Sequence, residues 1–385
     1  MHLGLNARGR LQQTIISWFQ MSEIFSQTIV LGVGLLGGSL GLAAKKANVG
    51  GKIIGLGRNS TKLVRAVELG AIDDWATNWR DALSFAEPSP EMAPVQIVLA
   101  APVEVNLKLL SEFWALRNEP WFAGRRYVVS DVGSVKGGFA ESATKLLHSS
   151  DQPKNVRISF VPAHPIAGSD KSGVEHASSG LFYGKLTILT PWSKSSERSD
   201  ALACGNAIPF EKAVDVKNDP SFDTIGKKFV LAFSEDEKID DSEPSLSTKM
   251  SICVGGPQGE DVARVRAFWR ALGSCVVETS AEDHDQILAR TSHLPNLVSV
   301  LTTSVVPRNE FLFTGTGFRD VTRLAGGSPD VWTEIYLTNR VAVLEALQRL
   351  EENILCWKAF LQEGDRESIL TFLNGTKKKR DALGS

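Results

Sequence analysis

Six residues near the start of the chain, Gly32-Val33-Gly34-Leu35-Leu36-Gly37, carry the spacing G-x-G-x-x-G directly after an apolar run. Between a strand and a helix, that spacing binds a dinucleotide. The first glycine permits the tight turn, the second lets the backbone approach a pyrophosphate, and the third lets the helix pack on the strand. Leu35 and Leu36 open that helix, whose free N–H groups and positive dipole end face the phosphates. The competing reading is a glycine turn that only packs closely. Gly38 and Ser39 extend the run of small residues. An NAD enzyme usually places Asp or Glu about 20 residues further on, against the ribose 2′-hydroxyl. Here the second strand ends in Gly57-Arg58-Asn59-Ser60, with no acid. Arg58 can pair with a 2′-phosphate and Ser60 can donate to it, so NADP is expected ahead of NAD. Otherwise Arg58 stacks on adenine or faces water.

Three further segments leave apolar runs for turns rich in small residues, Gly or Pro. They are Leu99-Ala100-Ala101-Pro102-Val103, Asp131-Val132-Gly133-Ser134-Val135-Lys136-Gly137 and Pro162-Ala163-His164-Pro165-Ile166-Ala167-Gly168. Ligands bind at the carboxyl ends of strands in open α/β sheets, so these turns are where chemistry belongs. Ala101 and Pro102 are expected to line the cofactor. His164 is suited to proton transfer, since an unperturbed imidazole titrates near pH 6.5.

The elements that must hold these turns are short apolar runs: 28–31, 52–56, 95–100, 127–131, 157–161 and 186–190. Runs this apolar, separated by helical lengths, predict β-α-β units. The expected fold is α/β: a Rossmann-like N-terminal domain with a mostly parallel sheet, then an all-helical C-terminal dimerisation domain. The boundaries are set at 24–282 and 283–376. Residues 193–256 are rich in Ser, Asp, Glu and Lys and read as a polar insertion, with Phe229–Phe233 as a candidate strand. The strand before it is expected near a sheet edge. A last strand is expected over 275–278. A long helical segment is expected from Asp330 to Glu363, with a broad apolar face formed by Trp332, Ile335, Leu337, Val341, Leu344, Leu347 and Leu350.

The chain has 385 residues, 43% hydrophobic and 22% charged, enough for a real core. Its 42 Lys and Arg against 44 Asp and Glu argue against a nucleic-acid binder. Four scattered cysteines without a C-x-x-C pair fit a reducing cytoplasm rather than a disulfide scaffold. No apolar run reaches the roughly 18 residues of a membrane span. The stretch before Met21 reads as a frayed extension, and Lys377–Arg380 as a solvated tail after the last helix.

Taken together, Gly32–Ser39, Asp131–Lys136, His164-Pro165-x-x-Gly168, Ser292-His293-Leu294-Pro295, Gly317–Arg323 and Asp330-Val331-Trp332 resemble the prephenate/arogenate dehydrogenase family. The resemblance runs from about Ser26 to Gly375 apart from the insertion. It implies oxidative decarboxylation of a cyclohexadienyl substrate on the way to tyrosine, by a homodimer. It also implies roles: His164 takes the carbinol proton, and Ser134 hydrogen-bonds this histidine and the substrate hydroxyl. Arg323 binds a substrate carboxylate, with His293 nearby. Arg319 is a weaker candidate because many relatives carry Lys there. Trp332 either walls the ring pocket or is a core residue. Prephenate is the expected substrate and arogenate the alternative. An acid such as Asp170 or Glu175 would favour the ammonium group of arogenate. A β-hydroxyacid dehydrogenase is less favoured, because no lysine stands beside Ser292-His293. A non-catalytic dinucleotide sensor is less favoured because His164, Ser134 and Arg323 are all present. No metal is expected. His284 and His293 stand nine positions apart, about 900° on one helix, which points them to opposite faces. Pro295 also makes one continuous helix doubtful.

Overall fold

The computed structural model describes residues 24–85, 93–147, 156–168, 171–191 and 257–383. The N-terminal extension, Asp170 and the insertion with its candidate strand lie outside them. The described residues divide into two compact units, 24–191 with 257–281, and 282–383.

The first unit is built on six parallel strands in the order β3-β2-β1-β4-β5-β6. They are β1 (Gln27–Leu31), β2 (Lys52–Leu56), β3 (Asp74–Ala76), β4 (Val95–Leu99), β5 (Arg126–Asp131) and β6 (Arg157–Phe160). This is the doubly wound order, whose direction reverses between β1 and β4. Leu31 stands opposite both Leu56 and Leu99, and Leu99 opposite Asp131. Side chains alternate across the sheet. Val30, Ile53, Val98 and Val128 pack in one apolar layer with α1 (Leu35–Ala47) and with Phe268 and Trp269 of α6 (Pro257–Ala271). Ile29, Leu31, Ile54, Ile97 and Val129 face the other layer. There they meet α3 (Trp79–Ser84), α4 (Val103–Ala115) and α5 (Gly137–Leu147). The remaining helix, α2 (Ser60–Glu68), is capped by Asn59, whose side chain accepts from the Lys62 N–H. Asp261 fastens α6 to the sheet, accepting from Ser159 at 2.8 Å, Arg157 at 3.0 Å and Arg126 at 3.3 Å.

A second sheet has the order β7-β8-β9, with β7 (Ala163–Pro165), β8 (Leu186–Leu189) and β9 (Cys275–Glu278). This corrects two expectations. The run at 186–190 does not continue the main sheet but forms the middle of this one, antiparallel to β7 and parallel to β9. His164 is not on a loop, since its backbone pairs opposite Ile188. Gly38 and Ser39 also lie inside α1 rather than in the turn. A Cβ on Gly38 would stand 2.9 Å from Val174, and the Ser39 hydroxyl accepts from the Ser178 N–H at 2.9 Å.

The second unit is helical: α7 (Ala281–Leu288), a π turn (Ala289–His293), α8 (Leu294–Ser304), α9 (Thr316–Thr322), α10 (Pro329–Thr338), α11 (Arg340–Glu363) and α12 (Arg366–Ala382). The long segment expected over 330–363 is broken at Asn339, whose side chain turns into the interior. The basic run at 377–380 is not a tail beyond the last helix but part of α12, with Lys377 paired to Asp381. Pro295 does not end the helical path. It stands at the start of α8, directly after the π turn. The expected apolar face is not the buried one: of its seven residues only Ile335 is buried, Leu337, Val341 and Leu344 are exposed, and α11 instead buries Ala342, Val343 and Ala346.

Candidate active site

The turn after β1 shows why three glycines stand where they do. Gly32 has φ +90°, and a Cβ there would lie 2.7 Å from the Ala100 carbonyl oxygen at the end of β4. A Cβ on Gly37 would lie 2.3 Å from the Gly32 carbonyl oxygen. Gly34 differs, because a Cβ there meets nothing within 4 Å. Gly34 caps α1 without a side chain, and the first-turn N–H groups of Leu35, Leu36 and Gly37 have no partner within the helix. Open space over Gly34, backed by helix amides at the β1/β4 reversal, fits the pyrophosphate of a dinucleotide. Gly34→Ala is therefore expected to cost the fold no more than about 1 kcal/mol. It should weaken cofactor binding at least about tenfold through the lost close approach. Gly37→Ala should instead destabilise the protein by about 3 kcal/mol through overpacking. Thermal melting beside nucleotide titration checks both, and equal effects of the two substitutions would sink the distinction.

Arg58 and Ser60 are both exposed beyond β2, Ser60 as the first residue of α2. Ala101 is half-buried and Pro102 precedes α4. Sequence reasoning missed what holds them. The buried Asn106 side chain accepts from the Ala101 N–H at 3.2 Å and donates to the Ala101 carbonyl at 2.6 Å. Its only signal in sequence is an asparagine inside a helix, where that residue is a poor former.

His164 is 8% exposed, and Ser134 is half-buried in the turn after β5. Both segments are tied to Asp131. One oxygen of this carboxylate accepts from the Ala163 N–H, next to His164, and the other from the Gly133 N–H, next to Ser134. Lys136 pairs with the same carboxylate.

In the second unit, α9 ends in a turn opened by Arg323. Arg319 and Arg323 are exposed and four residues apart, so they project from one side. The buried Asn296 and Ser299 of α8 hold the turn. Asn296 donates to the Leu324 carbonyl at 2.7 Å, and Ser299 accepts from the Ala325 N–H at 2.9 Å. Tyr336 donates its hydroxyl to Asn296 at 2.6 Å and lies against Trp332, with ring centres 5.7 Å apart. Trp332 in turn meets His293 edge to face, ring centres 6.3 Å apart. A Cβ on Gly327 would strike the Trp332 ring at 2.3 Å. Trp332 is thus half-buried among aromatic neighbours rather than wholly interior.

His293 is 1% exposed, and burial pushes its pKa down to about 4. Asp285 opposes that shift and His284 adds to it. His293 is therefore neutral near pH 7 and supplies a hydrogen-bonding group rather than a cation. Asn339 sets its tautomer. The Asn339 amide nitrogen donates to the Asp285 carbonyl at 2.8 Å and lies 3.1 Å from His293 Nδ1. A carbonyl can only accept, which fixes the amide orientation, so Nδ1 accepts and the ring proton sits on Nε2. The π turn at Ala289–His293 interrupts the regular helix on which the opposite-faces expectation rested. A π turn carries more residues per turn than an α-helix, so the 100° spacing no longer holds across it. Among the described residues, no three His, Cys, Asp or Glu side chains form a metal cluster.

A glycine turn opening onto the reversal point of a parallel sheet marks the first unit as a dinucleotide-binding domain. Residues 40–208 match the family model described as prephenate dehydrogenase, nucleotide-binding domain, and residues 280–375 match prephenate dehydrogenase, dimerization domain. The chain belongs to the prephenate/arogenate dehydrogenase family. It is 27% identical to the prephenate dehydrogenase of Bacillus subtilis over 369 residues, 94% of this chain and 77% of that protein. Among solved structures it resembles Aquifex aeolicus prephenate dehydrogenase in complex with hydroxyphenyl propionate and NAD+. That TM-score is 0.64 at 24% identity, over 93% of this chain and 98% of the other. It also resembles Synechocystis arogenate dehydrogenase, with a TM-score of 0.60 at 22% identity over 92% and 99%. At these identities the structural likeness is one of fold.

Proposed function

We propose that the chain oxidatively decarboxylates prephenate to 4-hydroxyphenylpyruvate, with NADP preferred over NAD as hydride acceptor. The observation that carries this reading is the single carboxylate, Asp131, that ties together the segments bearing Ser134 and His164 in a chain of this family. When bound, the nicotinamide supplies the acceptor for the hydride that leaves the ring carbinol carbon. Ser134 orients the carbinol, and His164 takes its hydroxyl proton as the hydride departs. The bond from the ring to its carboxylate then breaks, CO2 leaves, and its electron pair completes the aromatic ring. The proton held by His164 returns to the oxygen that becomes the phenol, so no net proton is released. Arg323 grips a substrate carboxylate through its planar fork, with Arg319 adding charge. His293 contributes a neutral Nε2–H, and Trp332 walls the ring.

Arg58 and Ser60 support the cofactor preference, since both are exposed beyond β2 and neither repels a 2′-phosphate. Exposure of Leu337, Val341 and Leu344 supports a homodimer through the helical unit. Cys356, exposed and outside any disulfide, fits a cytoplasmic enzyme. No helix among the described residues is long and apolar enough to cross a membrane. The domain limits of this reading are 24–282 and 283–376. A steady-state assay with prephenate and arogenate, each with NADP and NAD, tests the proposal. Prephenate with NADP is expected to give the highest kcat/KM. Arogenate turnover alone would reassign the substrate, and turnover of neither by folded protein would defeat the proposal.

A further inference from the structure

Asp131 and Lys136 are 1% and 0% exposed, so an ion pair is enclosed at the end of β5. Each carboxylate oxygen is also spent on backbone. Oδ2 accepts from the Gly133 N–H at 2.9 Å, and Oδ1 from the Ala163 N–H at 3.2 Å. Gly133 has no room for a side chain in this arrangement, since a Cβ would sit 2.9 Å from Oδ2. The Lys136 carbonyl in turn accepts from the Ala140 N–H at 2.8 Å in the first turn of α5. Ser134 is therefore bracketed on both sides by residues bound to one carboxylate. His164 follows directly on a third, and its own backbone is locked opposite Ile188.

Burying two charges is expensive, and apolar side chains could fill such a space without loss of stability. A carboxylate differs from an apolar plug in its directional demand on the groups around it. We propose that Asp131 and Lys136 are positioning residues, a buried ion pair that fixes the Ser134 turn and the His164 strand relative to one another. The inference rests on the reading of Ser134 and His164 as the proton-handling pair. Neither Asp131 nor Lys136 needs to touch the substrate.

The test compares wild type with the charge-free double variant Asp131→Asn/Lys136→Met, which leaves no lone charge behind. The expected result is a folded protein with unchanged NADP affinity and prephenate KM. Its kcat should fall about 100-fold, the scale of a misplacement near 1 Å. Amide hydrogen exchange at Gly133 and Ala163 should accelerate, with the strands of the main sheet unaffected. This readout does not depend on turnover, so it separates failure of the positioning role from failure of the functional reading, which an inactive wild type would reveal. A folded double variant with kcat near wild type and unchanged exchange at those two amides overturns the proposal. Should the double variant not fold, Gly133→Ala decides by the same measurements. Its methyl group displaces the carboxylate while keeping both charges, and a wild-type kcat there overturns the proposal equally.

Discussion

Replacing His164 with asparagine is expected to lower kcat by about 10²- to 10⁴-fold, the usual worth of a positioned acid–base group. The KM for prephenate should change little. The imidazole matters most as the alcohol proton is transferred, so its loss removes an interaction stronger in the transition state than in the bound substrate. Asparagine keeps polarity and approximate size on a strand whose backbone is already paired through Ile188, so the second sheet should survive. The variant should also lose the decline of kcat at acid pH that a histidine base imposes. Steady-state kinetics across pH, with nucleotide affinity as a folding control, measure all of this. A folded His164→Asn enzyme within tenfold of the wild-type kcat would remove His164 from the chemistry.

Arg323→Met should act on the other parameter. Truncating one partner of a hydrogen-bonded charge pair costs about 2–3 kcal/mol, roughly 30- to 150-fold, at the lower end of the range for such pairs. The loss is expected mostly as a raised KM for prephenate, because a carboxylate far from the reacting carbon is held alike in ground and transition states. Arg323→Lys should recover only part of it, since an ammonium keeps the charge and loses the two-pronged grip. His293 cannot substitute as a cation, because it stays neutral until the pH falls toward about 4. Asn296 and Ser299 bind the backbone of the turn rather than the guanidinium, so the variant should fold. Unchanged prephenate KM in Arg323→Met would show that the carboxylate is held elsewhere.

The main sheet was legible because strands covered on both faces are apolar at nearly every position, as 28–31, 52–56 and 95–99 are. The glycine turn was legible because each glycine answers a steric demand that residue type alone announces. β3 was missed, being three residues long with Asp74 and Trp75 in it. In sequence β7 looks like a loop because prolines bracket His164 at 162 and 165, yet an edge strand tolerates them. The run at 186–190 announces a strand but not its sheet, since a short apolar segment carries no record of its neighbours. The π turn was invisible because one extra residue leaves a 3.6-residue pattern nearly intact. Asn106, Asn296 and Asn339 were missed for a common reason. A buried amide that holds backbone looks, in sequence, like any surface asparagine.

The register of the main sheet carries one more consequence. Leu56, Leu31, Leu99 and Asp131 are mutual neighbours across four strands, so Gly57, Gly32, Ala100 and Val132 begin on one level terrace. An elongated molecule laid along that terrace crosses four strands without climbing a step. Adding a single residue to any of them would raise one stair of about 3.3 Å and turn the neighbouring side chains over. Strand lengths here are thus held by the flatness of the ledge.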